Sequence, residues 1–378
     1  MKSQVLSALQ RAVAFAESQG LDTWDPYDFR GTPLFLRAPK AAVKVLYGLA
    51  FLAPVATRRL LGVKPVRSAG GVAGLAHAYC DLGEQTKAEP LIQWLLENPS
   101  RTQAGLGWGL PFAWKSGFGI VPANTPIGHT TITVGNALLA YGSDENASNA
   151  AAWIRSELKF NAAFGGLAAS YTPNDTTQCV NSNADVASFL AKVAVKNGSE
   201  DLLDLSRQIL TFVVNSQNED GSWNYLAGVR SGSGSQIDHY HTGMILCALQ
   251  HLAYQFFDDR AVEAYTRGLR FYMDHLFRPD NGPKFTVFDQ DPVDIYGCAE
   301  GIITLVNASN DPHLNVGLRE EAKQRAQGLV HFTLSRMQDS RGAFAYRKYP
   351  AKTMWLDSLR WAQAPMIRAL ARYASSLE

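Results

Sequence analysis

Polar and aromatic side chains suited to chemistry cluster at the starts of several apolar segments rich in small residues. Asp and His can exchange protons with a substrate, and Arg and Asn can bind its charged or hydroxyl groups. Trp and Tyr rings can stack on the apolar face of a pyranose. The residues concerned are Asn124, His129, Asn181, Asn183, Asp238, Tyr240, His241, Asp294, Tyr296, Arg360 and Trp361, together with Trp108, Trp223 and Tyr225 in intervening loops. This mixture is typical of a sugar-binding site.

Two of these carboxylates allow two interpretations each. Asp238, in the sequence QIDHYHTG, fits the N-cap of the following helix as well as an acid–base group, and Asp294 in DPVDIYG has the same ambiguity. His239 and His241 are two residues apart, so on a helix they cannot both face one point. We therefore assign His241 to the site and expect the other ring to point away.

Other kinds of chemistry lack their usual motifs. The sequence contains no P-loop, no glycine-rich dinucleotide fingerprint, no Cys-x-x-Cys and no Gly-x-Ser-x-Gly. The spacing of His239 and His241 is not the His-x-x-x-His of zinc proteases, so we expect neither a metal nor a cofactor. Asp185 and Glu300 lie inside apolar segments, where buried carboxylates normally have partners, and we leave them out of the site.

The elements that must position these residues are helices. Thirteen segments have the i, i+3, i+4 spacing of apolar residues, and strand signals are few. Six of these segments are apolar almost all round, and the segments between them carry more charge. Equivalent positions in the six are 54 to 65 residues apart: Gly71, His129, Asn183, His241, Tyr296 and Trp361. Six inner helices alternating with six outer ones predict an all-α fold, an (α/α)6 toroid.

The repeat also predicts the domain organisation. Residues 1–378 form one toroid domain, and the helices within residues 1–64 complete or flank the ring. Short β-hairpins are expected on the rim, near residues 222–225 and 342–349. If all inner helices begin at one end of the ring, their leading polar residues converge on one mouth. The N-termini of the helices would favour an anionic ligand there.

Composition limits the partners and the location of the protein. The 378 residues carry a formal net charge of +1, which argues against binding to nucleic acid. The four cysteines are scattered and predict reduced thiols in a cytoplasmic protein. The apolar run at residues 45–56 is too short to span a bilayer. We expect it to be a buried helix, although Lys40 and Lys44 before it and Arg58 and Arg59 after it would also suit a membrane surface.

The chain contains the motifs VPANTP, YTPNDTTQCVNSNA, QNEDGSWNY, IDHYHTG, PVDIYGCAEGIIT and RWAQAPM. From about residue 22 to the C-terminus, it resembles a bacterial and archaeal family found among polysaccharide-synthesis genes. Its members are often labelled with a prenyltransferase-type toroid. More distantly, the toroid is similar to six-hairpin glycosidases, uronate lyases and terpenoid cyclases. The sequence departs from the family pattern in having His239-Tyr240 where Asn-Phe is usual, and Tyr296 where His is common. The resemblance implies work on a polysaccharide, with peripheral association to a membrane-bound synthesis machinery.

Three functions remain open from the sequence. In a uronate lyase or C5-epimerase, Arg360 and an Asn would neutralise the substrate carboxylate, and His241 or a Tyr would take the C5 proton. In a glycoside hydrolase, Asp238 and Asp294 would be the acid and the base. A third alternative is a protein that binds a nascent polysaccharide without catalysis. A terpenoid cyclase would need an aspartate-rich run in the cavity, and the one Asp-Asp pair, Asp258-Asp259, falls on an expected outer helix.

Overall fold

The computed structural model describes residues 2–377, and most of them are helical. Six helices form an inner layer: α5 (Ala69–Asp81), α7 (Gly128–Tyr141), α9 (Val180–Asn197), α11 (His239–Phe256), α13 (Ile295–Ser309) and α15 (Ala364–Ser375). Six others form an outer layer: α1 (Lys2–Gln19), α6 (Gln85–Glu97), α8 (Asp144–Glu157), α10 (Glu200–Asn215), α12 (Asp259–His275) and α14 (Val316–Arg336).

The inner helices form a closed ring. Each packs against the next in chain order, and α15 packs against α5 to close the circle. Each is also covered by an outer helix, namely α6, α8, α10, α12 and α14 for the first five and α1 for α15. The predicted (α/α)6 toroid is therefore confirmed, and the N-terminal helix supplies its twelfth member.

Small residues let the inner helices approach one another closely. At Gly135 of α7, a Cβ atom would lie 2.3 Å from the ring of Phe189 on α9. Any side chain at this position would have to displace a buried aromatic ring. The apolar composition of these helices thus reflects contacts on nearly every side, as the sequence pattern indicated.

Three short helices flank the ring: α2 (Pro33–Arg37), α3 (Lys40–Leu52) and α4 (Pro54–Leu60). The helix expected for the apolar run at residues 45–56 is interrupted at Ala53, because Pro54 cannot continue a helix and begins the next one. The expectation that this segment is buried was wrong, since only Leu46 and Ala50 of α3 are buried. Within residues 2–377, no helix is both long and apolar enough to cross a membrane.

Short strands lie within the loops between the helices. They pair as β1 (Asp22–Thr23) with β2 (Val66–Arg67), β3 (Trp114–Ser116) with β4 (Gly119–Val121), and β5 (Phe160–Ala163) with β6 (Gly166–Ala169). A three-stranded sheet contains β7 (Val293–Asp294), β8 (Arg347–Lys348) and β9 (Thr353–Met354), with β8 in the centre. The hairpin expected at residues 342–349 therefore exists in part. Residues 222–225 form no strand, because their backbone is held by turns and loop contacts.

The last inner helix begins differently from its sequence prediction. The sixth apolar segment, which contains Trp361, was expected to form an inner α-helix, but Leu359–Gln363 form a π-helical turn before α15. A π-turn inserts extra backbone into a helix and often marks a functional position. Here the π-turn contains Arg360 and Trp361.

Candidate functional site

The N-terminal ends of the inner helices surround a cavity of about 520 Å³, the mouth cavity. The structure brings together eight of the predicted site residues on its wall: His129, Asn181, Tyr225, Tyr240, His241, Tyr296, Arg360 and Trp361. The remaining walls come from the loops before the inner helices and from residues 27–47 near the N-terminus. The predicted convergence of polar residues on one end of the ring is thus present in the geometry.

Asp238 and His241 form a carboxylate–imidazole pair at the start of α11. One oxygen of Asp238 accepts a hydrogen bond from the backbone N–H of His241 at 2.9 Å, and the other lies 2.7 Å from its Nδ1. Only 2% of the Asp238 side chain is exposed, compared with 21% of the His241 side chain. A carboxylate at Nδ1 favours the tautomer with the proton on that nitrogen, so Nε2 is left with the lone pair. The same aspartate therefore caps the helix and orients the imidazole.

Tyrosines surround this imidazole. The ring centroids of Tyr225 and Tyr240 lie 4.8 and 4.0 Å from that of His241. Burial raises the pKa of Tyr240 and of Tyr296, and the neighbouring Cys179 together with burial raises that of Tyr225. These phenols stay protonated near neutral pH, so they can donate protons and hydrogen bonds but are poor bases.

Arg360 supplies a positive charge to the mouth cavity. Its Nε donates to a carboxylate oxygen of Asp25 at 2.6 Å, and its side chain is 13% exposed. Burial alone would lower the pKa of this guanidinium, but the Asp25 carboxylate holds it above its usual value. The guanidinium is therefore always charged, and its position is fixed from one side by a residue of the N-terminal segment.

An aromatic wall faces the charged groups. The rings of Tyr296 and Trp361 lie 4.9 Å apart at 33°, and Tyr27 meets Trp361 edge-on at 5.0 Å. The indole Nε1 of Trp361 donates to Asp294 at 2.8 Å, which fixes the orientation of the ring. A wall of this type can stack against a sugar ring.

Asn181 lies buried on the cavity wall with weak partners. Its side-chain oxygen accepts from the Cys179 thiol at 3.0 Å, and its Nδ2 is 3.8 Å from the sulfur of Met244. A thioether is a weak acceptor, so most of the hydrogen-bonding capacity of this amide is unused. Asn181 is therefore available to a ligand.

The second predicted acid–base carboxylate, Asp294, has a structural position. It is 4% exposed and caps α13 by accepting from the backbone N–H of Tyr296 at 3.0 Å. Its oxygens also accept from Arg347 Nε at 2.7 Å and Trp361 Nε1 at 2.8 Å. Neither Asp294 nor Asp238 lines the mouth cavity. The acid–base pair proposed for a glycoside hydrolase is thus not presented to a substrate.

Four predicted binding residues also lie away from the cavity wall. Trp108 and Trp223 are buried, and each indole N–H donates at 3.0 Å to a carbonyl near the C-terminus of an outer helix, where intrahelical partners run out. Asn183 bonds to the backbone of Ala169 and to that of Cys179. Asn124 is exposed in a loop with φ of 60°. These residues build the scaffold rather than the wall.

A second cavity, of about 1030 Å³, extends from the centre of the ring to the C-terminal ends of the inner helices. We call it the inner chamber; His129 and Tyr296 line both it and the mouth cavity. Glu300 lies on its wall, and burial, aided by Asp185, raises the pKa of this carboxyl to about 7. Burial and the nearby Arg368 lower the pKa of Lys192 to about 8.

Sequence reasoning missed two groups of wall residues. Asp185 and Glu300, expected to have partners inside their helices, face the inner chamber, where a carboxylate oxygen of Asp185 lies 3.9 Å from Nδ1 of His129. Tyr27 and Arg30 also line the mouth cavity. Their segment has the Asp, Tyr and Arg mixture of the other clusters but does not begin one of the six inner helices, so the repeat could not identify it.

Within the described residues, no group of three or more His, Cys, Asp and Glu side chains is arranged to hold a metal ion. The four cysteines are free thiols, two of them buried and two partly exposed.

Comparison with known proteins identifies the fold. No protein-family model matches the chain. No curated protein matches it in sequence. Among solved structures, it is similar to a cellobiose 2-epimerase from Bacillus thermoamylovorans, with a TM-score of 0.63, 10% identity and coverage of 82% of this chain and 88% of that one.

Two further structures have the same fold. An unsaturated glucuronyl hydrolase specific for heparin has a TM-score of 0.60 and 12% identity, with 99% of this chain and 96% of that one covered. An α-1,6-mannanase from Salegentibacter, an inactive variant with two adjacent aspartates replaced, was solved with α-1,6-mannotriose. Its TM-score is 0.61 and its identity 14%, over 83% of this chain and 91% of that one. These likenesses establish the toroid fold.

Proposed function

We propose that this protein is a carbohydrate-active enzyme that removes a proton from a sugar ring carbon, by the chemistry of a uronate lyase or C5-epimerase. Its substrate is an acidic saccharide of a bacterial surface polysaccharide. The observation that carries the proposal is the Asp238–His241 pair beside Arg360 in an aromatic cavity. The neighbours in the toroid fold, named for epimerisation and hydrolysis of saccharides, support a carbohydrate ligand.

The sequence left open whether His241 or a tyrosine is the base, and the surroundings favour His241. The raised pKa values keep Tyr240 and Tyr296 protonated. Nε2 of His241 would accept the C5 proton, and the Asp238 carboxylate would stabilise the imidazolium that forms. A tyrosine would return a proton to C5 in an epimerase, or donate one to the leaving oxygen in a lyase.

Removal of a proton next to a carboxylate requires stabilisation of the negative charge that develops there. Arg360 supplies a fixed cation, and the Asn181 amide supplies an N–H donor with only a thioether as partner. Both line the same cavity as His241. Bidentate contact between a guanidinium and a carboxylate is strong and directional, so these residues can fix the sugar with C5 toward the base.

A mannanase-like mechanism has less support. The inactive mannanase variant has two adjacent aspartates replaced, whereas the one Asp-Asp pair of this chain is at the start of the outer helix α12. Asp238 and Asp294 are both committed to capping and to buried hydrogen bonds. A polysaccharide-binding protein without catalysis remains the alternative that the experiment below distinguishes.

We further propose a cytoplasmic location and work beside a membrane-bound polysaccharide machinery. The first rests on the four free thiols, and the second on a surface described in the next subsection.

The test is incubation of the purified protein with oligosaccharides of hexuronic acids in deuterated water. We expect exchange at C5, read by NMR, with or without the ultraviolet absorbance of an unsaturated uronate. The variant His241→Gln should abolish the exchange. The matched control His275→Gln, at an exposed histidine of α12, should not.

Other outcomes would contradict the proposal in different ways. New reducing ends without C5 exchange or absorbance would indicate hydrolysis. Exchange at C2 of a neutral disaccharide would indicate the chemistry named for the cellobiose epimerase. Saccharide binding measured by calorimetry, with no chemical change in any substrate, would indicate a binding protein.

A further inference from the structure

An exposed apolar stripe runs along α3. It consists of Val45, Leu49 and Leu52, whose exposed fractions are 61%, 42% and 68%. These positions are spaced i, i+4, i+7, so they lie on one side of the helix. The buried residues of α3, Leu46 and Ala50, lie on another side. The helix therefore has a second apolar side that nothing in the described chain covers.

A second apolar projection lies on the β3–β4 hairpin, where Phe118 and Ile120 are 61% and 53% exposed. The hairpin and α3 belong to the same rim, because residues 114–117 and Tyr47 both line the mouth cavity. The α3 stripe and the hairpin residues are together called the rim face. Exposed apolar groups at a cavity opening usually indicate an interaction surface.

The stretch of chain that contains α3 has basic residues and no acidic ones. From residue 29 to residue 80 the chain has eight Lys and Arg and no Asp or Glu, while the whole chain has a net charge of +1. Subtraction (1 − 8) leaves a net charge of −7 on the rest. Five of these cations are exposed and, within residues 2–377, form no ion pair: Arg37, Lys40, Lys44, Arg59 and Lys64. Apolar side chains flanked by unpaired cations match an anionic lipid surface.

A second copy of this chain fits the rim face less well. A symmetric dimer places the same patch of both subunits in contact, which would bring the unpaired cations of each copy together. A membrane surface instead accepts the apolar side chains among its acyl chains and the cations among its phosphates.

We propose that the rim face is a docking surface for an anionic phospholipid bilayer, on which α3 lies parallel to the membrane plane. Docking turns the mouth cavity toward the lipid headgroups, because both parts of the rim face border its opening. The substrate would then be a saccharide presented at the membrane; this consequence rests on the proposed function, whereas the docking does not.

The experiment is flotation of the full chain with vesicles of phosphatidylglycerol and phosphatidylcholine, compared with vesicles of phosphatidylcholine alone. We expect binding to the anionic vesicles, weakening as salt is added, and little binding to the neutral ones. The triple variant V45S/L49S/L52S should reduce the bound fraction at least about tenfold. The double variant K40Q/K44Q should weaken binding and flatten its salt dependence.

The control is the triple variant V195S/F257S/V316S, whose parent side chains are 55%, 88% and 70% exposed near the C-terminal ends of the inner helices. It should bind vesicles like the parent, and circular dichroism should show that all variants fold. Equal loss in both triple variants, or no vesicle binding by the parent, would overturn the proposal. A dimer in sedimentation that only V45S/L49S/L52S disperses, without vesicle binding, would instead assign the rim face to contact between copies.

Discussion

Replacing Asp238 by Asn should separate the capping role of this residue from its effect on the imidazole. The two carboxylate oxygens accept two different hydrogens, the backbone N–H of His241 and its Nδ1–H. An asparagine has only one oxygen. If that oxygen keeps the cap, its NH2 group faces Nδ1, which must then become an acceptor. The imidazole proton moves to Nε2, and the proposed base loses its lone pair.

The size of the effect follows from this geometry. Asn caps helices about as well as Asp, so the free energy of unfolding should fall by less than about 1 kcal/mol. A misoriented general base typically costs a factor of about 10² to 10⁴ in kcat. That corresponds to roughly 3 to 5 kcal/mol of lost transition-state stabilisation. Activity should therefore decrease far more than stability.

The assay is C5 exchange under saturating substrate, together with thermal unfolding and nitrogen NMR of the His241 ring. The matched control is Asp258→Asn, since Asp258 caps α12 through the backbone N–H groups of Arg260 and Ala261 and holds no histidine. The control should retain full activity. Exchange within a fewfold of the parent value in Asp238→Asn, or a ring that still has its proton on Nδ1, would refute the assignment.

Three other changes test separate features. Burial lowers the pKa of His239 to about 3, whereas the ordinary value of 6.5 applies in the unfolded chain, so between these two values only the unfolded chain gains a proton on this residue. The free energy of unfolding should therefore fall by about 2 kcal/mol as the pH is lowered to about 5. In denaturant titrations, His239→Asn should make stability less dependent on pH in this range. Gly135→Ala should lower the free energy of unfolding by about 1 to 3 kcal/mol because the new methyl group overlaps the Phe189 ring. Gly48→Ala, with open space around the new methyl group, should raise the melting temperature slightly. Equal shifts in melting temperature for the two variants would contradict the packing argument. Asn181→Ala should lower kcat/KM roughly tenfold, since the proposed role of this amide is to bind the substrate carboxylate and the negative charge that develops on it, and an unchanged kcat/KM would remove Asn181 from the site.

The ring could be predicted from the sequence because its repeat is periodic. A run of small apolar residues recurs about every 54 to 65 positions and indicates helices that are covered on all sides. Such a helix needs neighbouring helices from the preceding and the following repeat. The mouth cavity followed from the same logic, since Tyr240, His241 and Tyr296 begin their helices at the same end. The periodic pattern therefore predicts the ring and the position of the mouth cavity without any knowledge of individual packing contacts.

Other features depend on contacts that one sequence does not encode locally. Trp108 and Trp223 are residues of the type that forms a sugar platform, but each donates to a carbonyl, 13 and 10 residues earlier, at the C-terminus of the preceding outer helix, and the sequence does not distinguish these two roles. The exposure of α3 was mispredicted because an apolar helix on an exposed rim has the same composition as a buried one. Asp25 could not be identified as a partner of Arg360 because 335 residues separate them.

The closure of the ring by α1 has a consequence for synthesis of the protein. The first helix packs on the last, and Gln338 donates to the carbonyl of Ala8 across 330 residues. On the ribosome, the apolar side of α1 lacks its main native neighbour until α15 has left the exit tunnel. Until then the nascent chain carries an amphipathic helix whose apolar side is largely uncovered and to which chaperones can bind. The complete circle can therefore close only after α15 has emerged, and the contacts between α1 and α15, which are far apart in the sequence, are expected to form last.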